Sequence, residues 1–328
     1  MAALTPRQLG DLERRLKSLG VNGIRPLAGG ASSVTFEGML AERRVVVKVA
    51  PPGVSPTLNR DVLRQARVIR ALGPSEVPVP EVLVEESGTP PDVPPLFVMS
   101  FLEGTSVEPL FDRDVDARER SVIGERLRAA ARTMGRLHGL DPTSVGLADE
   151  PVVGPAEEVE RWCRLLATVD PELVPGWRDV AAALRNSVPD PLGAAIVHGD
   201  FRLGNLLAAG EAITAVIDWE IWSVGDPRVD VGWFLANADP ATYRRATPFV
   251  GATPLPAELA DVYANERGRA IPELNWFQGL ACFKSAATWS LIVKHNRRRS
   301  APDPQLEEMA DVLGSLLARA HYLSMDGG

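Results

Sequence analysis

Cysteine and histidine are among the scarce residues of this 328-residue chain, with two of the first and four of the second. Cys163 and Cys282 lie far apart with no C-x-x-C spacing, so the expected setting is reducing and cytoplasmic. Each falls in a stretch of helical periodicity, where a small core residue is the simplest role. No apolar run reaches the length of a membrane span. The opening "MAALTPRQLGDLERR" carries charges early and lacks the apolar core of a secretory signal. Positive charge is not in excess either: 35 basic against 43 acidic side chains give a net charge of -8. A general nucleic-acid or anionic-membrane binder would need a basic face, so neither is expected as a partner, although a local phosphate pocket remains compatible. There is no internal repeat and no long low-complexity tract.

What is present is an ordinary globular composition, 45% hydrophobic and 24% charged, on a chain long enough for two lobes. "TPRQLGDLERRLKSLG" predicts a helix capped by Thr5, with Pro6 in its first turn, Gln8 closing a capping box and Gly20 ending it. "ASSVTFEG" and "ERRVVVKVA" predict two strands, residues 57–72 a second helix, and "PLFVMSFLEG" a buried strand ending at Gly104. Beyond Gly104 the pattern turns helical, over 117–138, 156–168, 177–186, 256–267, 272–294 and 304–323. Only "AAIVHGD", "NLLAAG" and "AITAVIDW" interrupt it with strand-like runs. The expected fold is α+β: a small β-rich lobe over 1–99, a connector over 100–104 and a larger helical lobe over 105–328, with a cleft between them for a ligand.

Within the helical lobe, "IVHGDFRLGNLL" and "AVIDWE" set polar groups in an apolar frame. Asp200 follows the run "AAIV", Asn205 stands just before "LLAA", and Asp218 ends the strand "AITAVI". Three oxygen ligands would then meet at one end of a small sheet. An acid and an amide at this separation suit phosphoryl transfer, one carboxylate handling a hydroxyl proton while the other and the amide hold Mg²⁺ against ATP phosphates. Turn capping, with Asp218 paired to an arginine such as Arg202, explains any one of these residues but not all three together.

"HGDFRLGNLL…VIDWE" resembles the aminoglycoside phosphotransferase/choline kinase-like family, small-molecule kinases with a bilobal protein-kinase-like fold. Gly199 stands where protein kinases carry the arginine of H-R-D, and Trp219 where they carry the phenylalanine of D-F-G. The resemblance implies Asp200 as catalytic base, Asn205 and Asp218 as magnesium ligands, and His198 as a brace of the loop. It further implies a nucleotide-covering loop at "LAGGASSVTFEG", in which Gly29 and Gly30 allow close approach and Ser32 and Ser33 donate to phosphate. Lys48, within "VVVKVA", would steady the ATP phosphates, and the hinge residues Ser100 and Leu102 would present a carbonyl and an N–H to adenine. Kinases of this fold pair the strand lysine with a helix glutamate. Here that position is Gln65, with Asp61 one turn earlier as a possible substitute, so the partner of Lys48 stays open between them and a residue elsewhere.

Asp226 and Asp230, in "GDPRVDVGW", are expected to be structural. Trp162, Trp276, Phe277, Phe283 and Trp289 are candidate acceptor platforms, although aromatics at helical spacing are more often core. "KHNRRR", residues 294–299, is expected to be a solvated helix end. The implied activity is ATP- and Mg²⁺-dependent phosphorylation of a small-molecule hydroxyl acceptor, with antibiotics and the hydroxyacyl substrates of acyl-CoA dehydrogenase-associated kinases both in view. A catalytically weak nucleotide-binding module is the alternative that Gln65 keeps open. A metal-dependent phosphoesterase would need more histidines, and a protein kinase would need an A-P-E element after Asp218, which is missing.

Overall fold

A computed structural model of the chain describes residues 4–27, 33–109, 112, 117–239, 241–244 and 247–325. Helix α1 (Pro6–Ser18) starts on the expected capping box, in which the Gln8 N–H donates to Thr5 Oγ1 and the Thr5 N–H to Gln8 Oε1. The chain then forms strands β1 (Val21–Pro26), β2 (Val34–Leu40) and β3 (Arg43–Val49), helix α2 (Val62–Leu72), and strands β4 (Val82–Glu86) and β5 (Leu96–Ser100). These strands make one antiparallel sheet in the order β1-β2-β3-β5-β4.

Alternation along a strand gives this sheet two different faces. Val45, Val47, Val49, Leu96 and Val98 pack on Leu12 and Leu16 of α1. Phe97 and Met99 share the other core with Val62, Ala66 and Ile69 of α2. Lys48 has the opposite parity to Val47 and Val49, so it leaves the strand on the α2 side. Helix α2 begins later than the sequence pattern suggests. One 3-10 turn (Leu58–Arg60) precedes it, and Asp61 becomes its N-cap, accepting from the Arg64 N–H at 3.0 Å.

The second lobe holds α3 (Ala117–Leu137), β6 (Val152–Val153), α4 (Pro155–Leu166), α5 (Trp177–Asn186), β7 (Ala195–Val197), β8 (Leu206–Ala209), β9 (Ala212–Val216), β10 (Ser223–Gly225) and α6 (Arg228–Ala238). It ends with α7 (Pro256–Arg267), α8 (Leu274–Arg297), α9 (Pro304–Glu307) and α10 (Ala310–Met325). The expected helix over 304–323 is therefore two helices. Strands β8 and β9 form a hairpin, and β6-β10-β7 a three-stranded sheet. Strands β1, β6 and β10 and helix α6 were not anticipated. Every residue of α6 is buried, so it has no polar face and its sequence carries no helical periodicity. Gly232 makes this possible: a Cβ there would meet the Phe277 carbonyl of α8 at 2.4 Å. Of the candidate aromatic platforms, Trp162, Trp276, Phe277 and Phe283 are core. Arg297 pairs with Glu307 at the solvated end of α8. Among the described residues, no helix is long and apolar enough to cross a membrane.

Candidate active site

The loop that leaves β7 hangs from α6. Asp230, fully buried, accepts from the His198 N–H at 2.6 Å and the Gly199 N–H at 2.8 Å, and His138 Nε2 lies 3.2 Å from it. Burial alone would raise its carboxyl, but His138 and the donors around it hold it below the usual range. Gly199 is required at the turn. Its φ is +84°, and a Cβ would stand 2.6 Å from the Ile221 carbonyl, so the arginine that protein kinases carry here does not fit. Asp226, as expected, is structural: it accepts from the Arg228 N–H at 2.9 Å and its guanidinium at 2.8 Å.

His198 braces the loop from inside. Its Nδ1 accepts from the Asp200 N–H at 3.1 Å, which leaves Nε2 to donate to the Ile217 carbonyl at 2.9 Å. Burial pushes its pKa below the ordinary value, in keeping with a neutral ring in this tautomer. Since Ile217 immediately precedes Asp218, one imidazole ties the two motifs together. A second tie is the Ile217 N–H donating to the Asn205 carbonyl at 3.0 Å.

Asp200 is partly exposed and held by three donors. Trp233 Nε1 reaches Oδ1 at 2.8 Å, Asn205 Nδ2 reaches Oδ2 at 2.7 Å, and Arg202 Nε lies 3.2 and 3.3 Å from the two oxygens. Arg202 also bonds Glu108, so it belongs to Asp200 rather than to Asp218. The Asn205 amide spends its nitrogen on Asp200 and leaves its oxygen without a partner among the described residues.

Asp218 follows β9 in the left-handed region, at φ +65°, a conformation that a residue other than glycine keeps only when its surroundings enforce it. Its Oδ1 meets Lys48 Nζ at 2.9 Å. Burial opposes the charge, but the Lys48 ammonium overcomes this and holds the carboxyl below the usual range. Lys48 Nζ also donates to Gln65 Oε1 at 3.1 Å. The open partner of Lys48 is thus Gln65, together with Asp218. The substitution by Asp61 is ruled out here, because that carboxylate is committed to capping α2.

The remaining expected nucleotide contacts divide. Ser33 is buried, its hydroxyl without a partner among the described residues, whereas Gly29, Gly30 and Ser32 lie outside them. At the expected hinge, Ser100 exchanges bonds with Glu81 through its N–H and its Oγ, each at 2.9 Å. Among the described residues the Leu102 N–H has no backbone or side-chain acceptor. Trp233 and Lys284 contact this loop as well, at Asp200 and at the Gly199 carbonyl, and sequence reasoning missed them. Lys284 is a lone cation in the apolar run "LACFKSAATW", and that was the signal available.

Comparison with known proteins identifies the family and the fold. The chain is 28% identical to acyl-CoA dehydrogenase family member 11 of Gallus gallus over 302 residues, which is 84% of this chain and 38% of that protein. It is 28% identical to acyl-CoA dehydrogenase family member 10 of Mus musculus over 237 residues, 68% of this chain and 21% of that protein. It thus spans well under half the length of these curated relatives. Among solved structures, a Ralstonia eutropha protein named provisionally as an aminoglycoside phosphotransferase superposes with a TM-score of 0.77 at 21% identity, over 98% of this chain and 99% of the other. A thermostable mutant of aminoglycoside phosphotransferase APH(4)-Ia, in ternary complex with ADP and hygromycin B, gives 0.63 at 18% identity, over 97% and 99%. These likenesses show the kinase-like fold. The family model described as phosphotransferase enzyme family matches residues 23–277, and the chain belongs to that family.

Proposed function

We propose that the protein transfers the γ-phosphate of ATP to a hydroxyl of a small molecule. The observation that carries this reading is the linked set Asp200, Asn205, Asp218 and Lys48, joined directly and through His198 and Ile217, with Gln65 on Lys48, by contacts of 2.7 to 3.1 Å. Transfer of this kind asks a protein for positioning and charge rather than covalent chemistry. Asp200 takes the proton of the acceptor hydroxyl as the hydroxyl oxygen attacks the γ-phosphorus and ADP leaves. Lys48, on β3, steadies the phosphates that displace Asp218 from it, and Ser33, whose hydroxyl has no partner among the described residues, donates to them. Leu102 N–H is free to meet adenine beside the Ser100 carbonyl. The division into a nucleotide-covering lobe over 1–99, a hinge over 100–104 and an acceptor-bearing lobe over 105–328 belongs to the same reading.

The donor set fits Mg²⁺. Asp218 is a carboxylate kept charged, and Asn205 offers an uncommitted amide oxygen, both hard ligands. Among the described residues no three His, Cys, Asp or Glu side chains gather as a metal site. That suits an ion which keeps waters and substrate phosphates in its shell. Bound there, Mg²⁺ would neutralise charge on the phosphates.

ATP consumption across aminoglycosides, macrolides, choline-like amines and hydroxyacyl-CoAs, run beside Asp200→Asn, tests the proposal and names the acceptor. The neighbour crystallised with hygromycin B favours an antibiotic; the acyl-CoA dehydrogenase relatives favour a hydroxyacyl compound. ATP binding with no turnover of any acceptor would favour the nucleotide-binding module instead.

A further inference from the structure

Beneath Asp200 lies a cation to which the transfer reading gives no part. Lys284, in the middle of α8, is 5% exposed. Its Nζ donates to the Gly199 carbonyl, the peptide that leads into Asp200. The same ammonium sits 3.7 Å from the centroid of the Trp233 ring and 5.4 Å from that of Trp162. Trp233 in turn places its N–H on Asp200 Oδ1 at 2.8 Å. A buried ammonium is held where an aromatic face and a carbonyl replace its water. Drawing on the ring's electrons also makes the indole N–H a stronger donor, and a buried hydrogen-bond chain of this kind is cooperative.

We propose that Lys284 is a positioning residue for phosphoryl transfer, locking the Trp233 indole onto Asp200 and the Gly199 peptide into its turn so that the carboxylate is held at one angle and stays charged. The inference rests on the reading of Asp200 as the base. Two of the three donors on Asp200, Asn205 and Arg202, come from its own loop; Trp233 comes from helix α6, and the Lys284 ammonium lies against the face of that indole. The charged groups facing Lys284 are Asp200 on the loop, Asp230 on α6, and Glu158 with Arg161 on α4. Burial lowers the lysine to about 8, against the pull of the three carboxylates. It is therefore mostly protonated at neutral pH, and the device weakens as pH rises through about 8.

Nitrogen-15 indole spectra of the full chain give a readout independent of turnover, with the Trp233 signal assigned by its loss in Trp233→Phe. In the wild type this signal is expected to titrate with Lys284, near pH 8. In Lys284→Met it is displaced and no longer titrates; in Lys284→Arg it keeps its neutral-pH position without titrating. The second readout is hydrolysis of MgATP with water as acceptor. Lys284→Met lowers kcat on the order of 100-fold, the cost of a misplaced reacting group, with KM for ATP unchanged. Lys284→Arg recovers part of the loss. Should Lys284→Met not fold, Trp233→Phe keeps the aromatic face and deletes the donor, and the same fall in kcat is expected. An unmoved, still-titrating indole signal in Lys284→Met overturns the proposal, as does an unchanged kcat in Trp233→Phe. A wild type that never consumes ATP overturns the phosphotransfer reading and the catalytic half of this one, while the indole spectra still decide whether Lys284 governs the Trp233–Asp200 contact.

Discussion

Replacing Gln65 tests what holds Lys48. Gln65 Oε1 accepts from the ammonium at 3.1 Å, while its nitrogen makes only a long contact of 3.4 Å with the Asn59 carbonyl. In Gln65→Met the side chain keeps its length and loses the acceptor. Hydrogen bonds to a charged group contribute about 1.5–3 kcal/mol, so a loss of about 2 kcal/mol is expected. For a chain of this length that is a fall of about 3 °C in Tm. Gln65→Glu separates the charge of the partner from its presence. A carboxylate 3.1 Å from Lys48 gains about 5 kcal/mol at an effective dielectric constant of about 20. The two contacts on Nζ place it within about 6 Å of Asp218, where repulsion returns about 3 kcal/mol. Desolvating the new charge costs several kcal/mol more. Gln65→Glu is therefore expected to bring no stability at pH 7 despite restoring the pair that other kinases use. Thermal and urea unfolding of both variants give the answer. A Gln65→Met protein as stable as wild type, or a Gln65→Glu protein more stable by over about 1 kcal/mol, would refute the balance argued here.

Three further outcomes follow from the site. Gly199→Ala forces a side chain onto φ +84° and against the Ile221 carbonyl, so a loss of about 3 kcal/mol is expected in urea unfolding. Asp230→Asn leaves the His198 and Gly199 N–H groups sharing one acceptor, and about 3–5 kcal/mol should be lost at pH 7. Because the folded carboxyl lies below its unfolded value, the ionised Asp230 stabilises fully above about pH 5. That contribution is lost as pH falls through the depressed folded value, so stability curves of variant and wild type should converge in acid and diverge above it. Mg²⁺ and ATP together should raise Tm by more than the sum of their separate shifts, because each frees the partner the other needs from the Lys48–Asp218 pair; strictly additive shifts would speak against a shared site.

Much of this site was legible because its determinants are local. The spacing from Asp200 to Asn205 fixes a loop, strand parity puts Lys48 on the α2 side, and Thr5 with Gln8 closes a capping box within four residues. The partner of Lys48 was not legible. Asp61 and Gln65 lie one helical turn apart, and only the helix start decides between them: once α2 begins at Val62, Asp61 is consumed as its cap. Helix α6 was hidden for a different reason, since a helix buried on every side has no period to detect.

Lys284 shows where local pattern ends. In sequence it is one charge inside an apolar helix, 85 residues from the Gly199 carbonyl that it bonds. Its setting depends on α6 and α8 approaching closely enough for Gly232 to meet Phe277, which brings Trp233 under the ammonium. The loop is accordingly fastened to one buried helix twice, at Asp230 through its backbone and at Trp233 through Asp200 itself. Of the two fastenings, only the second reaches the carboxylate of Asp200, the base in the proposed transfer. Substitutions at Asp230 should therefore register first as lost stability, and substitutions at Trp233 or Lys284 first as lost turnover.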